Sequence, residues 1–137
     1  PFIHLLLSTP SPRLWLAAAF AAIIVAPIAE EFFFRGLLQG WLEKLVASRH
    51  SAVAADGEPM LAAPLPSFLF CLPILLSSIA FSGAHINHGG GWVAIFVLAL
   101  GLGLLYHKTH RLLPCILLHM ALNATSLGLA YLSTRLS

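Results

Sequence analysis

Hydrophobic positions along the chain gather into four long stretches, residues 14–34, 67–85, 92–106 and 112–132, separated by more polar segments of unequal length. A helix that crosses a bilayer needs about 20 apolar residues, within a range of roughly 17–25. The first, second and fourth stretches have that length; the third is short unless it borrows Gly89–Gly91. The pattern predicts an all-α membrane protein, a bundle of about four transmembrane helices. Within the first stretch only Pro27, Glu30 and Glu31 interrupt the apolar run. After Arg35, positions Leu37, Leu38, Trp41, Leu42 and Leu45 recur at three- and four-residue steps, with Gln39, Glu43 and Lys44 between them. That amphipathic period fits either an interfacial helix lying at the headgroups or a continuation of the first helix into water. Residues 47–66 form a polar linker bearing proline and glycine, in which His50, Asp56 and Glu58 are expected to be solvated.

Composition supports the same class. Hydrophobic residues make up 59% of the 137 and charged residues only 9%, and the mean hydropathy is +0.92. A soluble chain carries about 25% charged residues, so lipid is expected around much of this surface. The net charge of +2 is too small and too scattered for a nucleic-acid partner. Cys71 and Cys115 stand far apart in apolar sequence, so both are expected to be buried fillers. The chain opens without an initiator methionine or signal-peptide pattern, and residues 1–137 are read as a single domain excised from a longer protein. Arg13 and Arg135 fall on one side of the predicted bundle, and Lys44, Arg49, Lys108 and Arg111 on the other. The positive-inside tendency places the second side in the cytoplasm.

Ionisable groups inside spanning helices are costly and usually functional. Glu31 and Arg35 are i and i+4, share a face and are able to pair. Glu30 points elsewhere, on the face of Phe33 and Phe34, as a carboxylate in an apolar setting suited to general-base work. The alternative is an ion-paired cluster that fixes helix packing. His85 ends the second stretch with Phe81 one turn earlier, and His88 follows as an interfacial or capping residue. His119 and Asn123 are i and i+4 in the fourth stretch, either functional donors or interhelical hydrogen-bond glue. His107 and His110 flank Lys108 and Arg111 in an expected exposed loop, and His4 has no partner legible in sequence. One carboxylate, two histidines and an asparagine on three helices are able to activate a water and hold an oxyanion. Zinc held by Glu30, His85 and His119 is an alternative for the same residues.

Three short patterns occur in order: "EEFFFR" as EExxxR, "FSGAH" as FxxxH and "HMALN" as HxxxN. Together they resemble the CPBP family of CAAX- and bacteriocin-processing intramembrane proteases, which includes the type II CAAX prenyl endopeptidases and Abi-like proteins. The resemblance spans residues 30–123, within what looks like the family's core domain. It implies an intramembrane endopeptidase in which Glu30 and His85 activate water, while His119 and Asn123 hold the oxyanion. Glu31, Arg35 and Phe81 would support the site. A metal-free, glutamate-dependent mechanism is favoured over a zinc enzyme, so no cofactor is expected. The implied partners are membrane lipid and a protein or peptide substrate, prenylated proteins included, at the plasma membrane if the source is bacterial. A non-catalytic adaptor or bacteriocin self-immunity protein, or a proton relay in a transporter, are the readings from other classes. With the first helix ending near Arg35, Glu30 lies close to one membrane face and His85 near the other, so the second helix must be short, tilted or re-entrant for the site to close.

Overall fold

The computed structural model describes residues 11–50, 68–86 and 91–136, and every regular element among them is helical. The first helix, α1, runs without a break through Pro12–Phe20, a π-helical turn Ala21–Val25, Ala26–Glu31, a second π-helical stretch Phe32–Gln39, and Gly40–His50. Pro12 sits in its first turn, where a missing N–H leaves no internal bond unmade. The three others are α2 (Phe68–Ala84), α3 (Trp92–Thr109) and α4 (Leu112–Leu136).

The ends of these helices decide between the two alternatives the sequence left open after Arg35 and lengthen the third helix. The amphipathic stretch after Arg35 continues α1, so Pro12–Ser48 is a single apolar helix of 37 residues. Gly36 and Gly40 do not stop it, because each sits against a neighbouring helix: an added Cβ would lie 3.4 Å from Leu112 and 3.2 Å from the Tyr106 hydroxyl, respectively. Residues 47–50 of the predicted linker are therefore helical; 51–66, with Asp56 and Glu58, lie outside the described residues, as do His4 and His88. The third stretch, short in sequence, gains His107, Lys108 and Thr109 and becomes an 18-residue helix. It ends where His110 turns left-handed (φ 49°) and its N–H bonds back to the Tyr106 carbonyl. The two residues His110 and Arg111 then reverse the chain into α4.

Among the described residues, α1, α3 and α4 are long and apolar enough to cross a membrane. At 17 residues, α2 is the short helix of the set, and it carries Pro73 in its interior. The distribution of side chains inverts that of a soluble domain. Glu31, Arg35, Gln39, Ser77, Ser78 and His119 are buried, while Leu16, Phe20, Val97, Leu113 and Leu129 are exposed. Only an apolar solvent makes such an exterior inexpensive, and the interior is held by ion pairs and hydrogen bonds among most of these groups. The protein is an integral membrane protein. Cys115 is buried as expected, whereas Cys71 is exposed on the outer surface of α2; both are free thiols.

Three helices meet closely at Gly103 in α3. Its missing side chain lets Ile74 of α2 and Gln39 of α1 pack against the α3 backbone, and the Gln39 amide donates to the Gly103 carbonyl at 2.9 Å. A Cβ there would fall 2.9 Å from Ile74 Cγ2 and 3.1 Å from Gln39 Oε1. Gly103→Ala should therefore destabilise the bundle by about 1–3 kcal/mol, read as a lower thermal midpoint in detergent. An unchanged midpoint would mean that the three helices separate there without cost.

Candidate active site

The two carboxylates of α1 have different surroundings. Glu31 is fully buried, with Oε1 accepting from His119 Nδ1 of α4 at 2.9 Å and Oε2 lying 3.3 Å from Arg35 Nε. The Arg35 contact is an ion pair by distance but not an aligned hydrogen bond, so Glu31 Oε2 and Arg35 Nε and Nη1 lack hydrogen-bond partners. Arg35 Nη2 donates to the Ala99 carbonyl of α3 at 3.0 Å, and the guanidinium lies 4.8 Å from the centre of the Phe81 ring of α2. Glu31 and Arg35 thus tie α1 to all three other helices. The pairing at i and i+4 agrees with the sequence spacing.

Glu30 faces the two imidazoles. His85 Nε2 stands 3.7 Å from Oε1 and His119 Nε2 stands 3.7 Å from Oε2, both beyond direct hydrogen-bond range. The Glu30 side chain keeps 26% of its surface exposed and His85 22%, against 4% for His119. The tautomers follow from the partners. His85 Nδ1 lies 2.8 Å from the Phe81 carbonyl, an acceptor only, so the proton is on Nδ1 and the lone pair of the neutral ring is on Nε2. His119 Nδ1 likewise donates to Glu31.

Phe81, almost wholly buried, is the common wall. It stacks on His85 at 4.8 Å, meets His119 edge-on at 5.8 Å and meets Phe34 at 5.0 Å. Of the three phenylalanines between Glu31 and Arg35, only Phe34 turns inward; Phe32 and Phe33 are more than half exposed, towards lipid. Asn123, one turn beyond His119, donates through Nδ2 to the Ala22 carbonyl of α1 at 2.9 Å. The structure therefore brings Glu30, Glu31, Arg35, Phe81, His85 and His119 together, and engages Asn123 with the backbone of α1.

The depths of Glu30 and His85 are matched by a short α2, as expected, together with an α1 longer than the apolar stretch. Because α1 runs on well past Arg35, Glu30 is at mid-helix, where the end of a short α2 reaches it. Sequence reading missed a second polar cluster. Glu43 of α1 accepts from His107 Nδ1 at 3.0 Å, with His110 Nδ1 3.8 Å away, and also accepts from Gln39. His107 is thus a helical residue bonded to Glu43, not an exposed loop residue. The i, i+4 spacing of Gln39 and Glu43 was the available signal, hidden by the expectation that their face met solvent. Among the described residues no group of three His, Cys, Asp or Glu side chains is arranged to hold a metal ion.

Residues 12–125 match the family described as type II CAAX prenyl endopeptidase Rce1-like. The chain belongs to this family. No curated protein and no solved structure matches it. As an Rce1-like member it is a CAAX-type intramembrane protease at the level of the family, and the matched residues contain all of the site just described.

Arg35→Met would leave the Glu31 carboxylate buried without its cation. Breaking a buried pair by removing one partner costs about 3–5 kcal/mol, so this variant should accumulate poorly and unfold at a lower temperature than wild type. Arg35→Lys should not restore the midpoint, since an ammonium lacks the planar fork that reaches Ala99 while covering Phe81. Wild-type stability in the lysine variant would argue that charge alone suffices.

Proposed function

We propose that this Rce1-like protein hydrolyses a peptide bond of a membrane-associated substrate, prenylated proteins included, by attack of a water that Glu30 and His85 activate. The observation that carries the reading is that both Nε2 atoms face one partly exposed carboxylate at 3.7 Å, one at each oxygen. Glu30 takes a proton from the water as its oxygen bonds to the scissile carbonyl carbon. His85, with its proton committed to the Phe81 carbonyl, offers the Nε2 lone pair to the same water and orients it. The carbonyl oxygen becomes an oxyanion beside His119. For Nε2 of His119 to donate to that oxyanion while Nδ1 donates to Glu31, the ring must carry both protons, and Glu31 is then its counter-ion. The carbon–nitrogen bond breaks as the proton held by Glu30 passes to the leaving amine, which returns Glu30 to its starting state.

Glu31, Arg35 and Phe81 act one layer out. They fix the ring planes of His119 and His85, and the Glu31–Arg35 pairing leaves Glu30 for the reaction. Proximity of this kind matters because small errors in placement of the base cost large factors in rate. The proposed mechanism needs no metal.

The test is cleavage of prenylated and unprenylated CAAX peptides by the full-length protein in nanodiscs. Glu30→Gln should lower kcat by about 10²–10⁴-fold while the protein still accumulates and folds. Wild-type cleavage should persist with a zinc chelator. Loss on chelation with recovery on adding zinc would transfer the chemistry to a metal. No cleavage of any peptide by wild type would remove the protease reading.

A further inference from the structure

Asn123 has an environment that a pure oxyanion donor does not require. Its Nδ2 donates to the Ala22 carbonyl, which belongs to the π-helical turn Ala21–Val25 of α1. In α geometry that carbonyl would accept from the N–H of Ala26. Here the Ala26 N–H closes instead on Ala21. The next donor along the chain, the one a π register would use for Ala22, belongs to Pro27 and does not exist. The π turn and the proline together leave the Ala22 carbonyl without a partner in its own helix. Apolar surroundings offer none either, and an unsatisfied carbonyl in such a medium is costly.

We propose that Asn123 is a positioning residue. By capping the carbonyl that Pro27 orphans, it holds the π turn of α1 in register and thereby sets the rotation of Glu30 and Glu31 towards the two histidines. The geometry gives α4 two grips on α1. His119 holds Glu31 with Nδ1, and Asn123, one turn further along α4, holds the backbone at Ala22. A π turn carries one residue more than the α turn it replaces, and each residue turns a helix by about 100°. Relaxing the turn to α geometry would therefore swing everything downstream, Glu30 included, to a different face. This inference rests on the proposed role of Glu30 for its effect on rate, but not for the cap itself.

The test is a double-mutant cycle on the full-length protein in nanodiscs with Asn123→Ala, Pro27→Ala and both together. Pro27→Ala supplies the missing N–H, so it should make Asn123 dispensable. In the wild-type background Asn123→Ala is expected to lower the thermal midpoint and to reduce kcat by about 10²-fold with KM little changed, measured well below every midpoint. In the Pro27→Ala background the same change should move neither quantity. Equal losses in both backgrounds would overturn the proposal and leave Asn123 acting on the substrate itself. If Asn123→Ala alone fails to accumulate, its recovery by Pro27→Ala supports the cap and its failure to recover overturns it. If Pro27→Ala is inactive by itself, or if wild type cleaves nothing, the midpoint cycle alone decides the cap, and absence of wild-type cleavage counts only against the protease reading.

Discussion

The structure turns on a buried charge set, Glu31 with Arg35 and His119. Burying a carboxylate and a guanidinium requires several kcal/mol of desolvation per ion, which attraction offsets only when geometry and hydrogen bonding are good. Each group here meets a different helix: His119 comes from α4, Ala99 from α3 and the Phe81 ring from α2. The four helices must therefore assemble in one arrangement for these charges to be tolerated. Apolar packing alone would not enforce that, since lipid tails are as apolar as leucine and supply little preference between one helix contact and another.

The same set explains how two adjacent glutamates come to differ. Glu31 is consumed by structure, and that is what leaves Glu30 beside two imidazoles without an ion pair to Arg35. A single carboxylate in that position would have to serve both purposes. The Phe81 ring couples the two halves, because it carries the guanidinium within 4.8 Å and stacks on His85. Phe81 is thus in contact with both the structural pair and the ring that faces Glu30.

Much of this was legible in the chain. The apolar stretches identified the helices, and the i, i+4 spacing of Glu31 with Arg35 identified the pair. The ordered patterns around Glu30, His85 and His119 marked residues that do meet in space. What sequence could not carry was backbone register. Nothing in "AAIIV" or "FFFRGLLQ" announces a π turn, because such turns depend on which carbonyls find partners across helices. The end of α1 was left open between two alternatives, since the contacts of Gly36 with Leu112 and Gly40 with Tyr106 cannot be read from sequence. Asn123 could be seen to need a partner, but the partner is a backbone carbonyl a hundred residues away.

The length of α1 has a mechanical consequence. The apolar portion of the helix, Pro12–Ser48, has 37 residues, which at about 1.5 Å each make a rod of roughly 55 Å, against a hydrocarbon layer of about 30 Å. Even at a tilt of about 40°, the upper end of what spanning helices adopt, such a rod stands more than 40 Å tall and overshoots the oily slab. The polar end of the rod is the one that carries Glu43 and Lys44, and Glu30 lies halfway along its length. On the proposed role of Glu30, water and peptide would have to reach that carboxylate at mid-helix, and the substrate's reach into the membrane, measured from its own anchor, would act as a ruler for where it is cut.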